Sequence, residues 1–391
     1  MSTASAMSTA SAGSTATATA AVARAPGQEF AIERIQVDRP RPHEVLVELE
    51  AVGICHTDLS VRAGHTPFPL PGVLGHEGVG RVAAVGAAVT ATARGERVLL
   101  SFDSCGACPA CRESRPVQCA HWQALNLFGG SRLDGSPVLW DGAGQPLHGK
   151  FFGQSSFATL ALASDRNVVP VPRDLPAEAL APFGCGVQTG AGAVLNVLRP
   201  EPGHTLAVFG AGGVGLAAVM AARLTAATRI IAVDLHPARL ELARELGATD
   251  VVDAREQDAV AAIQELTGGH GADRALETSG VVAVLRQALA ALAVGGTLGV
   301  VGAPPKGTEV GIDVPQLLDR GPRIIGINQG GSVPQRFLPA LIELFRAGRL
   351  PVDRLVRAYP FERIERAVAD ARTGQVVKPV LRFDGWSTQR Y

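Results

Sequence analysis

Six cysteines stand in this 391-residue chain, and their spacing divides them into two sets. Cys105, Cys108, Cys111 and Cys119 share one short segment, spaced Cys-x2-Cys-x2-Cys-x7-Cys, with Gly106, Pro109 and Pro116 supplying turns. Four thiolates this close can build a tetrahedral, all-cysteine zinc site with no open position, which makes such a site structural. Cys-x2-Cys-x2-Cys also occurs in iron–sulfur proteins, and cysteines in exported proteins pair as disulfides. No export signal is legible here, and structural zinc is the favoured reading of the segment.

The other two cysteines are far apart. Cys55 lies in Gly53-Ile54-Cys55-His56-Thr57-Asp58, and Cys185 in Phe183-Gly184-Cys185-Gly186. Between them comes Gly75-His76-Glu77-Gly78. Two thiolates and one imidazole are the ligands of a zinc that keeps its fourth position for water or substrate. Each motif alone is weak, since a lone cysteine usually packs as a small apolar residue; their joint occurrence carries the reading. A third motif, Gly210-Ala211-Gly212-Gly213-Val214-Gly215, follows the apolar run Leu206–Phe209. Its glycines permit a tight turn and let a pyrophosphate approach a helix N-terminus. Asp234 follows at the end of the next apolar run, where a carboxylate can bond the hydroxyls of an adenosine ribose.

Elements must hold these residues, and the hydrophobic period changes along the chain. Residues 17–187 are rich in short β-branched runs punctuated by Gly and Pro, which predicts an irregular, mainly antiparallel β domain. Residues 188–324 alternate strand and helix patterns, including strands at Leu206–Phe209, Ile230–Val233 and Thr297–Val301. That order implies a doubly wound parallel sheet with right-handed crossovers. The last stretch, 325–391, has helix patterns at Pro339–Ala347 and Phe361–Arg372 and a strand at Val380–Phe383; it is too small to stand alone and should return to the first domain. Residues 1–16 belong to a Ser/Thr/Ala-rich start, in which Met1–Ala6 repeats as Met7–Ala12, and are expected to be a disordered extension.

Composition narrows the function. Lys+Arg and Asp+Glu are both 36, so the chain lacks the basic excess of a nucleic-acid binder and has no pull toward anionic membranes. Thr205–Ala222 and Gln287–Pro305 are uncharged and approach the ~20 residues of a membrane span, but their Gly and Pro read as strand-turn-helix punctuation. A cytoplasmic, globular protein is expected.

Taken together, Gly75-His76-Glu77-x2-Gly80-x5-Gly86-x2-Val89, the four-cysteine segment and Gly210–Gly215 with Asp234 resemble the zinc-containing alcohol dehydrogenases of the medium-chain superfamily. Phe151–Phe157, Gly184–Ala193 and Val301-Gly302-Ala303-Pro304-Pro305 resemble its aryl (benzyl) alcohol dehydrogenase branch. The resemblance spans residues 17–385. It implies a GroES-like catalytic β domain with an inserted Rossmann domain and the active cleft between them. It also implies one catalytic and one structural zinc, NAD, primary aryl or allylic alcohols and aldehydes as substrates, and a homo-oligomer, dimer or tetramer.

Residue by residue, the resemblance makes Cys55, His76 and Cys185 the ligands of the catalytic zinc and Cys105, Cys108, Cys111 and Cys119 those of the structural one. Asp58 would orient His76, Glu77 would approach the metal during substrate exchange, and Thr57 would take the alcohol proton. His56 and Lys378 would meet the pyrophosphate, Asp234 and Arg239 the adenosine ribose, Thr189 the nicotinamide, and Gly210, Gly212, Gly213 and Gly215 the phosphates. Ser60 stands where many members carry a relay histidine, so the proton must leave by another route. Two other readings use the same residues: a formaldehyde dehydrogenase acting on a thiol adduct, and a non-catalytic cofactor binder of the crystallin kind. The remaining histidines, and Trp122, Trp140 and Trp386, read as surface or packing residues.

Overall fold

The computed structural model describes residues 15–385. Most of the expected extension, and Trp386, lie outside the described residues.

The strand Glu44–Gly53 organises the first domain. Its sequence, EVLVELEAVG, is buried along nearly its whole length, which suits a strand covered on both faces. It pairs antiparallel with Gly78–Val85, Leu160–Ser164 and Lys378–Arg382. These belong to a seven-stranded sheet that also takes in Arg97–Leu100, Val168–Pro170 and Val356–Pro360. A five-stranded sheet runs Gly72–Val73, Ala16–Ala23, Ala31–Val37, Leu139–Trp140, Pro146–Leu147. Phe151, Phe157, Leu160 and Leu162 lie in the core with Phe361 and Leu381 from the last segment. Each such side chain contributes about 1.5–3 kcal/mol through burial, so the C-terminal stretch is bound to this domain by its apolar residues.

The second domain is a six-stranded, wholly parallel sheet. Its order is Asp250–Asp253, Arg229–Asp234, Thr205–Phe209, Ala272–Glu277, Leu292–Val300, Arg323–Gly326. Numbered along the chain this is 3-2-1-4-5-6, the dinucleotide-binding order, in which the strand sequence reverses at the first strand. The first strand, Thr205–Phe209, is fully buried and ends at Gly210, whose φ of 97° suits glycine alone. A Cβ on Gly215 would fall 1.8 Å from Gly210 O, so the loop and the helix Gly213–Ala222 can close only with glycine there.

Four expected boundaries shift. Ala16, assigned to the extension, is already paired with Val37 in the strand Ala16–Ala23. The helix Gly186–Gly192 crosses the 187/188 division, and the last parallel strand runs beyond residue 324 to Gly326. The helix expected to start at Pro339 begins instead at Pro334, a proline that suits a first turn, and Pro339 lies inside it. Among the described residues no helix is long and apolar enough to cross a membrane, and Thr205–Ala222 and Gln287–Pro305 resolve into short elements.

Candidate active site

Asp58 ties the first two candidate ligands together. Its Oδ2 accepts the Cys55 backbone N–H at 2.9 Å, at the start of the helix His56–Arg62. Its Oδ1 accepts the Gly75 N–H and pairs with His76 Nδ1, both at 3.0 Å. With Nδ1–H donated to the carboxylate, His76 turns the lone pair of Nε2 the other way. Nε2 is buried and has no hydrogen-bond partner among the described residues. Such an atom is costly unless something accepts that lone pair. The nitrogen and the sulfurs of Cys55 and Cys185 all lie within 4.8 Å of one another. An orphaned imidazole nitrogen beside two thiols fits a zinc ion, with a fourth position left for another ligand.

Electrostatics describe the same site before any cation enters it. Burial opposes charge on His76, but the Asp58 carboxylate outweighs it and lifts the imidazole pKa to about 10. The hydrogen bond from Cys185 holds Cys55 well below the ordinary thiol range, while the same bond pushes Cys185 well above it. The free site is therefore an imidazolium and a thiolate beside a thiol, and a bound cation would favour deprotonation of the imidazole and of both sulfurs.

Around the ligands the structure distributes the expected residues unevenly. Thr57 is half-buried, its Oγ1 3.8 Å from Cys55 Sγ, and His56 is exposed. Ser60 Oγ is 2.8 Å from Thr66 Oγ1. Lys378 Nζ is buried and reaches both Glu77 oxygens at 2.9 Å and Ile54 O at 3.2 Å. Its Cε lies 3.5 Å from where a Cβ on Gly213 would stand, beside the glycine loop. Glu77, fully buried, also accepts the Gly186 N–H at 3.0 Å. Burial raises its pKa and Lys378 opposes that rise.

The four remaining cysteine sulfurs also lie within 4.8 Å of one another. The lobe arranges itself with its own backbone: the Cys105 N–H donates to Cys119 Sγ and the Cys108 N–H to Cys105 Sγ, each at 3.3 Å. Backbone N–H groups of Ala120 and Cys111 bring the Cys108 thiol down to about 6, so one ligand is a thiolate at neutral pH.

At the nucleotide end, Asp234 accepts the Ala211 N–H at 2.6 Å on one oxygen and the Leu235 and His236 N–H groups on the other. It thereby joins the glycine loop to the end of the second strand. Arg239 is half-buried close by, its Nε unpartnered. Thr189 Oγ1 is buried and unpartnered as well.

Sequence reasoning missed several residues here. The Phe152 ring stacks on His76 at 4.4 Å and 22°, with Trp122 edge-on to Phe152 at 6.3 Å and Phe102 4.9 Å from Trp122. Trp122, read as filling, is part of this aromatic wall. Gln154 Nε2 donates to His76 O and to Ser101 O, each at 3.0 Å. The dense run Phe151-Phe152-Gly153-Gln154 was the signal that could have found it.

Comparison with known proteins agrees with this geometry. Residues 41–173 match the alcohol dehydrogenase GroES-like domain and residues 213–347 the zinc-binding dehydrogenase domain. A geraniol dehydrogenase of Castellaniella defragrans is 46% identical over 93% of this chain and 97% of its own. The chain belongs to the zinc-binding alcohol dehydrogenases.

Two solved members of that family share its architecture. An alcohol dehydrogenase zinc-binding domain protein from Burkholderia ambifaria is 52% identical, with a TM-score of 0.91 over 94% of this chain and 99% of that one. A benzyl alcohol dehydrogenase from Acinetobacter calcoaceticus is 42% identical, with a TM-score of 0.90 over the same shares. As a zinc-binding alcohol dehydrogenase, the chain is an enzyme that uses zinc and a nicotinamide dinucleotide.

Proposed function

We propose that this enzyme interconverts primary allylic or aryl alcohols and their aldehydes, with NAD as hydride acceptor and donor. The observation that carries the reading is the orphaned Nε2 of His76, which faces Cys55 and Cys185 beside the aromatic wall of Phe152, Trp122 and Phe102. Relatives named for geraniol and benzyl alcohol support a planar, unsaturated substrate.

When bound, zinc supplies Lewis acidity toward an alcohol oxygen and the nicotinamide accepts hydride. Cys55, His76 and Cys185 would hold the metal, with Asp58 fixing the imidazole tautomer. Thr57, beside Cys55, is the hydroxyl that would pass the substrate proton on. Lys378 keeps the buried Glu77 carboxylate charge-paired at the edge of the centre. The Phe152 and Trp122 rings, set edge to face, form an apolar wall beside the ligands that suits an unsaturated chain or ring. Asp234 favours NAD, because its carboxylate can accept from a free ribose diol and repels a 2′-phosphate.

The proposed assembly is a homo-oligomer, dimer or tetramer. It is supported by the strand Arg323–Gly326, which ends the parallel sheet with Ile324 and Ile325 exposed, near exposed Val314, Leu317 and Leu318. An open strand edge beside apolar side chains is a pairing surface. A cytoplasmic location fits six cysteines kept as free thiols in two ligand sets.

A panel of alcohols with NAD or NADP, followed by cofactor absorbance, tests the activity. Geraniol, cinnamyl alcohol and benzyl alcohol should be turned over far more efficiently than ethanol, and with NAD more than NADP. Zinc-loaded enzyme that oxidised none of them would overturn the proposal, and activity on formaldehyde only with a thiol present would point to the adduct reaction.

A further inference from the structure

Cys185 Sγ receives a hydrogen bond that none of the ligand motifs supplies. Gln329 Nε2 donates to it at 3.5 Å, and both residues are buried. Neighbours fix the orientation of that amide. Gly184 O can only accept, so it must face Nε2 rather than Oε1 of Gln188. The same Nε2 donates to Ser101 Oγ at 2.6 Å, and the Ser101 proton goes to Gly184 O at 3.0 Å. Gln188 Oε1, on its far side, accepts from Ser332 Oγ at 2.9 Å. With Gln188 so held, Gln329 faces its Nε2 at 3.3 Å with Oε1, since the reverse orientation would set two amide nitrogens against each other, and its own N–H groups face the sulfur.

This chain of amides and hydroxyls departs from simple packing in two ways. Gln188, Gln329, Ser101 and Ser332 are all buried, where an apolar side chain would fill the space without desolvating a polar group. Gln329 also has a φ of 46°, a left-handed conformation that is strained for a non-glycine residue and collects at functional sites. It follows the last strand of the cofactor sheet, Arg323–Gly326, closely in sequence, so the donor reaches Cys185 from the end of the other domain.

We propose that Gln329 is a positioning residue of the metal centre, whose N–H holds the Cys185 thiolate in place and draws charge from its sulfur. Less charge given by the thiolate leaves a metal ion there with a stronger pull on its fourth ligand, since hydrogen bonds to the ligands tune the metal they hold. The inference rests on the reading that Cys55, His76 and Cys185 bind the metal.

Cobalt(II) placed at that centre of the full-length chain, with zinc kept in the four-cysteine lobe, provides a readout without turnover. A hydrogen bond lowers the energy of the sulfur lone pair, so removing it should move the sulfur-to-cobalt charge-transfer band to longer wavelength. We expect that shift in Gln329→Leu and in Gln329→Met, the closer match in shape should leucine not fold. The d–d bands, which report ligand number and tetrahedral arrangement, should stay in place. A charge-transfer band that does not move in a folded variant overturns the proposal. Movement of both sets of bands overturns it too, because it would mean that Gln329 only shapes the site. Failure of the unmodified chain to take up cobalt at Cys55, His76 and Cys185 would strike instead at the metal reading beneath it.

Discussion

The two cysteine clusters solve the same chemical problem by opposite means. The four-cysteine lobe gathers its sulfurs from one stretch, Cys105–Cys119, and steadies them with its own backbone N–H groups while three of the four stay partly exposed. The Cys55–His76–Cys185 centre gathers its ligands from three segments far apart in the chain and steadies them with side chains from elsewhere: Asp58 on His76 and Gln329 on Cys185. A local site can be formed as soon as its loop turns. A distributed site exists only once its separate segments have packed together, and each of its supports is then available to tune chemistry.

The comparison is broken most directly by exchanging one ligand in each cluster. Cys185→Ser should abolish turnover while leaving the melting temperature nearly unchanged, because an open site adds little to packing. Cys111→Ser should do the reverse and destabilise the fold strongly, since zinc in closed sites contributes on the order of 10 kcal/mol to small folded domains. Elemental analysis of the unmodified chain should find two zinc ions per chain; one, or iron, would show that the clusters do not divide the work in this way.

Next in size is Thr57→Ala. It should lower the oxidation rate by roughly 10²–10⁴-fold, the range typical of losing a positioned proton-transfer group, with both zinc ions retained. Normal turnover of that variant, measured where hydride transfer limits the rate, would mean that the proton leaves without this hydroxyl. Replacing Asp234 with Ala should bring the catalytic efficiencies with NAD and NADP together by about tenfold, some 1.4 kcal/mol of discrimination. An undiminished preference for NAD would assign the selectivity to other residues.

The smallest effect is expected at Ser60. A serine cannot hold a proton near neutrality, whereas an imidazole with a pKa near ~6.5 can. Oxidation by the unmodified enzyme should therefore keep accelerating toward alkaline pH, and Ser60→His should raise turnover near pH 7 by a few fold. Ser60 bonds only Thr66 among the described side chains, so stability should change little. A pH profile unchanged by the substitution would place the exit of the proton elsewhere.

What the sequence alone determined about this protein is the part written in short spacings. The lobe, the glycine loop with its Gly210–Gly215 contact and the alternation of strand and helix are all legible because the interacting residues are neighbours in the chain. The identity of Cys55, His76 and Cys185 as a set was legible too, though only from their joint presence and the family resemblance. The tertiary structure decided who supports whom. Lys378 pairs with Glu77, 301 positions away, and Gln329 reaches Cys185 across 144. Trp122, read as filling, packs against Phe152 and Phe102, and only the fold shows that this packing lies beside His76. No periodicity encodes such contacts: they arise where segments distant in the chain bury their side chains against each other, and each polar group must then find whichever partner packing has brought within reach.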